Sequence, residues 1–479
     1  MGRHPLRRLL SLALLLVLAV SVACAGGSSR KSGRPKRTVL LTAEDDIRAG
    51  QEGAKAVEAD IGVLDDPELV AYVERIGDKL VRGLPYREFP FRFQIVDQME
   101  PNAFALPGGQ IFVSRGLLAL ANNEDELACV IAHEIVHVVR RHSAQQQAIV
   151  RYQRAFAPRF GQARMMAAYS RDMEREADDL GQKLAAAAGY DPMGMSTFMR
   201  RLDQRERLLI GAPRLPTFMD THPGTRERAT ETSIRSRELR WTPDPTLGNT
   251  RERLLDEIDG MVIGDRPEAG LFEEELFVHP VLGFQMQFPR GWMTQNSAQA
   301  VGATAPRGEA VVYLTADMPP GDLIELAEDF ARKAKDEFRV DVTEKKKVRL
   351  GPIEGVRYGF ASGGAGGGVV ARVTFFPYAE ATWRIVGAAP EIAADRYLGQ
   401  ILLSSRSFRP LSDEARAAIR IKRLHVVLAR PGEDVIELGE RTDNAWNATE
   451  TALMNGLLGN EVFDGGEMMK ILRRESLPN

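Results

Sequence analysis

The strongest helical pattern in the chain is the set Leu127, Val130, Ile131, Ile135, Val138 and Val139, an apolar surface at helical spacing that predicts one buried helix. Asn123 with Glu126 three residues on reads as its N-cap, so the helix is expected to start there. A second helix is expected around Glu174, running through the alanines at 185–188 and stopping at Gly189. Residues 91–96 and 110–113 read as strands, and the Pro107-Gly108-Gly109 turn between them predicts a hairpin. Trp241-Thr242-Pro243-Asp244-Pro245 reads as a linker, with a short helical stretch after it. Alternation at Phe284, Met286 and Phe288, a helical stretch at 323–338 and strands near 355–361, 369–376 and 383–388 then predict an α+β module.

The buried helix also carries the chain's densest chemistry, His133-Glu134-Ile135-Val136-His137. Residues four apart share a helix face about 6 Å apart along the axis, so His133 and His137 can bind one ion while Glu134 reaches a water beside it. Cys129 lies roughly 12 Å along the axis from His137, too far to join, and reads as a small buried residue. His142, five residues past His137, is turned away from that face and reads as a helix-end histidine complementing the dipole. Two histidines leave zinc short of protein ligands. In Ser170-Arg171-Asp172-Met173-Glu174-Arg175-Glu176-Ala177-Asp178, Glu174 and Asp178 are again four apart, which suits Glu174 as ligand and Asp178 as the acceptor that orients His133. Glu176 competes on the other side of the helix, and a solvated charge run would also fit this stretch on its own.

Together, HEIVH, SRDMEREAD and Gly189-Tyr190-Asp191-Pro192 resemble the gluzincin metallopeptidases that include the CAAX prenyl protease, HtpX and BepA. The resemblance extends over residues 42–240 and implies a mainly helical zincin-type domain with a small edge sheet. It implies one Zn2+ per chain on His133, His137 and Glu174, with Glu134 catalytic and Glu174 favoured over Glu176. Asn102-Ala103-Phe104-Ala105 falls where the family places substrate beside the metal, and an ordinary hairpin is the other reading. Thr221-His222-Pro223 fits a further motif, in which His222 is expected as a regulatory fourth ligand; an oxyanion-stabilising role and a plain loop histidine stay open. The intervening residues 143–169 fit either a lid over a peptide cleft or a fixed helix pair. Neither the transmembrane helices of HtpX nor the tetratricopeptide repeats of BepA are visible.

Composition adds the compartment and the remaining domains. Arg3, Arg7 and Arg8 precede an apolar run at 9–23, about 22 Å as a helix and short of a hydrocarbon core of about 30 Å, so residues 1–24 are expected to be a signal peptide. Ser21-Val22-Ala23-Cys24 resembles a lipoprotein cleavage box, with Ser21 in place of the usual leucine, which implies a membrane lipid anchor on Cys24, residues 25–41 as a flexible tether and a periplasmic location. Ordinary cleavage after Ala25 would give a soluble periplasmic protein instead. With two cysteines in all, Cys129 would then stand alone in the fold, without an intramolecular disulfide. The length of 479 residues suits about three domains, and a net charge of −3 gives no whole-chain reason to expect nucleic acid as a partner. The segments after the peptidase domain are a connector at 241–275, an α+β module at 276–412 whose opening resembles PsbP/Mog1-like domains, and 420–475, which resembles the βααβ LysM module with Val435 in place of the usual threonine. The last implies peptidoglycan binding or, equally, a structural cap. The resulting expectation is a zinc endopeptidase of the bacterial envelope acting on unfolded or misassembled polypeptides, against a chaperone-like or adaptor protein with little turnover.

Overall fold

The computed structural model describes residues 42–143, 159–208, 218, 222, 225–297, 300–363 and 368–477. The expected signal peptide and tether, Cys24, most of the lid candidate and the neighbours of His222 lie outside the described residues. The described chain divides into two compact units, one of residues 42–264 with 421–475, the other of residues 265–420 with 476–477. No helix among the described residues is long and apolar enough to cross a membrane.

In the first unit, α1 (Ala43–Asp60) opens on a capping box between Thr42 and Asp45, and α2 (Pro67–Arg82) on an Asp66 cap with proline in its first turn. Strands β1 (Arg92–Val96), β2 (Ala103–Leu106) and β3 (Gln110–Ser114) form a sheet in the order β1-β3-β2. This corrects the expected hairpin: β1 and β3 run parallel, and the turn joins β3 to β2, a strand of its own that pairs antiparallel with Ala103 opposite Val113. Gly108 and Gly109 make that tight reversal possible because their φ values are 76° and 98°, a region that side chains with a Cβ avoid. After α3 (Arg115–Leu120), helix α4 (Glu124–Val139) starts as expected, with the Asn123 side chain accepting from the Glu126 N–H. Then come α5 (Arg159–Ala187), α6 (Gly194–Leu208), α7 (Thr225–Glu238) and α8 (Thr250–Ile258). The apolar face of α4 lies in one core with Val73, Ile76 and Leu80 of α2, Phe198 and Met199 of α6, and Leu254, Leu255 and Ile258 of α8. Cys129 is a free, fully buried member of that core.

The second unit is rich in sheet. Strands β4 (Leu271–Glu273), β5 (Leu276–His279) and β6 (Phe284–Gln287) pair in order, with the short β14 (Arg409–Pro410) on the free side of β6. Strands β7 (Met293–Asn296), β8 (Val301–Thr304), β9 (Val311–Met318), β10 (Asp341–Leu350), β11 (Ile353–Ser362), β12 (Val369–Tyr378) and β13 (Ala381–Pro390) form an antiparallel sheet, β10-β11-β12-β13-β9-β8-β7. Helix α9 (Leu323–Phe338) packs Phe330 on one face, against Phe360 and Phe375. The other face packs on β4–β6 and on Tyr397 and Ile401 of α10 (Ala394–Arg406). The pleat sends neighbours to opposite cores, Phe375 to the first and Phe376 to the second.

One expected boundary moves, and the last segment joins the first unit. Residues 241–275 are not one connector: α8 belongs to the core of the first unit because Leu254, Leu255 and Ile258 are fully buried there, and the division falls between Gly264 and Asp265. The last segment, β15 (Arg420–Leu428), α11 (Val435–Thr442), α12 (Ala448–Asn455) and β16 (Met468–Ser476), has β15 and β16 in one two-stranded sheet. Its residues 421–475 return to the first unit, where Leu424 enters the core and Val262 bridges to Arg423.

Candidate metal centre

Helix α4 presents His133 and His137 one turn apart from a rigid, buried helix. Helix α5 crosses it at Gly181, where a Cβ would lie 3.1 Å from the His133 Cα, so glycine sets the close approach that brings Glu174 and Asp178 to the histidines. His222 arrives from a third segment, its N–H donating to the Phe218 carbonyl at 2.9 Å and its ring stacked on Phe218 with centroids 4.2 Å apart.

Four donors converge: one ligand atom each from His133, His137, Glu174 and His222, all within 4.8 Å of one another. His133 Nε2 is 3.0 Å from His137 Nε2, 3.3 Å from His222 Nδ1 and 3.4 Å from Glu174 Oε2. Glu174 Oε2 is 2.8 Å from His222 Nδ1, and Glu174 Oε1 is 3.5 Å from His137 Nε2. A tetrahedral zinc with bonds of about 2.1 Å needs ligand atoms about 3.4 Å apart, so this donor set fits the ion in both chemistry and spacing. The orientation of His133 is fixed from behind: its Nδ1 lies 3.1 Å from Asp178 Oδ1. Arg228 of α7 donates to both Asp178 oxygens at 2.7 Å, and its guanidinium also reaches Glu174 Oε2 at 2.8 Å and the His222 carbonyl at 3.1 Å.

The electrostatics follow from burial opposed by partners. Burial works against a charge on His133, yet Asp178 and Glu174 together raise its pKa to about 9 in the protein alone. Burial, with the charge on His133, pushes His137 well down, toward the neutral ring a metal needs. Burial would raise both Glu174 and Asp178, but the His222 and His133 rings hold Glu174 well below the carboxylate range, and Arg228 and His133 hold Asp178 down. Glu134 goes the other way: burial raises its pKa against the pull of His222 and His133. Its Oε1 is 3.4 Å from His222 Nε2 and accepts no hydrogen bond among the described residues, a costly state for a buried carboxylate oxygen that a molecule in the site would relieve.

Most residues picked out by spacing therefore meet here: His133, Glu134, His137, Glu174, Asp178 and His222. Glu176 does not; it pairs with Arg140 and with His142 Nε2 at 3.3 Å. His142 is not merely a helix-end charge, because its ring lies against that of His137, with Nδ1 to Nδ1 at 2.9 Å. Arg228 stands in Thr225-Arg226-Glu227-Arg228, where the local sequence carries no sign of such a role, and only the approach of α7 reveals its buried partners. Asn102 to Ala105 lie close by: Ala105 shares a cleft with Leu106, His137, Val138 and Arg141.

Comparison with known proteins agrees with this geometry. Residues 67–236 match the model of Peptidase family M48. The chain is 28% identical over 224 residues to the Beta-barrel assembly-enhancing protease of Escherichia coli (strain K12), covering 42% of this chain and 45% of that protein. It is 32% identical over 190 residues to the Mitochondrial metalloendopeptidase OMA1 of Schizosaccharomyces pombe, covering 36% and 53%. The chain thus spans about half the length of the curated relatives it matches. The solution structure of cyanobacterial PsbP from Synechocystis sp. PCC 6803 matches at 10% identity and a TM-score of 0.24, covering 29% of this chain and 95% of that one, a level that assigns no fold. The four-donor cluster lies wholly within the matched residues, and the chain carries a Peptidase family M48 domain over residues 67–236.

Proposed function

We propose that the chain is a zinc-dependent endopeptidase of the bacterial envelope that cleaves unfolded or misassembled polypeptides. The observation that carries this is the convergence of His133, His137 and Glu174 beside a buried Glu134 whose Oε1 faces the same space. Those three side chains would hold the ion, which would supply Lewis acidity toward the scissile carbonyl and the attacking water. Glu134 takes the proton that the water loses as its oxygen bonds to the carbonyl carbon. It then gives that proton to the amide nitrogen as the C–N bond breaks, so the proton count balances. Burial raises its pKa, which makes Glu134 a stronger base than an exposed carboxylate. Asp178 and Arg228 fix the His133 ring so that Nε2 faces the site.

Strand β2 is the edge of its sheet among the described residues and is the surface we assign to an extended substrate, through Asn102 to Ala105. His222 is assigned the role of a latch on the same donors. The envelope setting, the lipid anchor at Cys24 and the choice of misassembled proteins rest on the sequence patterns and on the name of the E. coli relative. The strand-helix-helix-strand order of the last segment supports its likeness to LysM, and peptidoglycan binding is assigned to it on that ground alone. The deciding experiment is Glu134→Gln in the zinc-loaded protein: metal and fold should be retained while casein hydrolysis falls by about 10²- to 10⁴-fold. Hydrolysis at the unchanged rate would exclude Glu134 as the base, whereas a zinc-loaded parent chain that hydrolyses no casein would leave the adaptor reading in its place.

A further inference from the structure

We propose, building on the metallopeptidase reading, that His142 is a positioning residue for the ligand His137, backed by Glu176 and Arg140. The local chain explains why simple helical spacing hides it. Helix α4 ends at Val139, Arg140 caps it, and Arg141 takes φ 52°, in the left-handed region, so the backbone turns instead of carrying the next residue around the helix. Arg141 is held in that turn from outside, its guanidinium donating to Asp46 Oδ2 at 2.6 Å and to the Thr42 carbonyl at 3.1 Å on the N-terminal turn of α1. The reversal lays the His142 ring edge-on against His137, with centroids 4.9 Å apart at 77°, and buries it to 2% exposure.

Proton bookkeeping then leaves a single arrangement. A neutral His137 that presents Nε2 to a metal carries its proton on Nδ1. That N–H faces His142 Nδ1 at 2.9 Å, so His142 Nδ1 must be the acceptor, and the His142 proton sits on Nε2. There it donates to Glu176 Oε2 at 3.3 Å, while Arg140 Nε donates to Glu176 Oε1 at 2.6 Å. Each ligand imidazole of α4 is thus backed at Nδ1 by a carboxylate and an arginine. For His133 the carboxylate is Asp178, next to the ring, with Arg228 behind it. For His137 the same pair, Glu176 and Arg140, acts through an interposed imidazole. This gives Glu176 a role although it is not a ligand, and it explains why a histidine follows His137 by five residues, a spacing no single helix face would use.

The test is zinc affinity by chelator competition on the full chain, with the visible spectrum of the cobalt-substituted protein as a second readout. His142→Leu should weaken zinc binding by about 10- to 100-fold and alter the cobalt bands, since an unfixed His137 ring changes the ligand field. His142→Gln should restore most of the affinity, because its amide oxygen can accept the same Nδ1 proton. Should His142→Leu fail to fold, Glu176→Leu, at a side chain 36% exposed, removes the acceptor of the His142 proton and must still lower affinity toward the small end of that range. Unchanged affinity and spectrum in His142→Leu would overturn the proposal, as would a His142→Gln protein as weak as His142→Leu. A wild-type chain that binds no zinc would instead bring down the metallopeptidase reading beneath it.

Discussion

His222 is the residue to which the latch proposal assigns control of the site. Its Nδ1 stands among the donors, 2.8 Å from Glu174 and 3.3 Å from His133, while its Nε2 faces Glu134 at 3.4 Å, so one ring covers both the position a substrate oxygen would need and the base. His222→Ala should keep zinc on the remaining three ligands and cleave unfolded casein several-fold faster than the unaltered chain; a fall of about 10²- to 10³-fold would assign the ring to oxyanion stabilisation instead. Peptide release and metal content, measured on the same samples, separate the two. At this scale much of the site was readable, because His133, His137, Glu174 and Asp178 meet through four-residue spacing on single helices, which sequence displays directly. His142 and Arg228 were not readable for a physical reason. The first depends on a left-handed residue, Arg141, that turns the backbone just past the Arg140 cap, and the second on which side of α7 the fold buries.

At the level of elements, β2 is the sheet edge to which the proposal assigns an extended peptide. The Ser114 N–H donates to the Asn102 carbonyl at 2.9 Å, so the alternation of an antiparallel pair turns Asn102 and Phe104 toward β3 and Ala103 and Ala105 outward. Two residues before the strand, the Pro101 carbonyl accepts from the Phe218 N–H at 3.0 Å, which ties the chain leading to His222 to the same strip of backbone. Ala105→Pro removes an outward N–H and nothing from the ladder, so KM for an unfolded substrate should rise while zinc content and melting temperature stay near those of the parent. Phe104→Pro removes a ladder donor and should destabilise the sheet itself. Equal KM for Ala105→Pro and the parent would take the substrate away from this edge. The strands were legible from alternation and the glycine pair, but their partners were not: the two strands nearest the turn form the hairpin, and a parallel β1 joins from the far side, a choice made by tertiary packing rather than by local pattern.

Across the whole molecule, the sequence separates modules that the fold reunites, because local periodicity says what an element is and nothing about a partner 351 residues away. The junction of α3 and α4, at the start of the helix with the two histidines, is gripped by three basic side chains from distant elements. Arg201 of α6 pairs with Glu126 at 2.6 Å, Arg251 of α8 donates to the Asn122 carbonyl at 3.2 Å and to the Met468 carbonyl at 2.8 Å, and Lys470 of β16 donates to the Ala119 and Ala121 carbonyls at 2.7 and 2.8 Å. Lys470 is fully buried, and burial together with Arg201 and Arg251 pushes its pKa well below the ordinary value, with Glu126 only partly opposing. A neutral amine suits the place, since its two hydrogens match the two carbonyls. The sign of the pH effect follows: between that lowered pKa and the ordinary value near 10.5 the unfolded chain binds the proton that the folded chain has given up, so stability climbs with pH across this window, by at most about 1.4 kcal/mol per unit. Lys470→Met abolishes that climb and leaves two buried carbonyls without their donor, at a cost of roughly 1 to 3 kcal/mol for each. Urea unfolding of both proteins at a series of pH values from neutral to about 9.5 should therefore show the stability gap widening as pH rises. Parallel curves would mean that Lys470 stays charged in the fold, and that the last segment is held to the peptidase core as an ammonium among carbonyls.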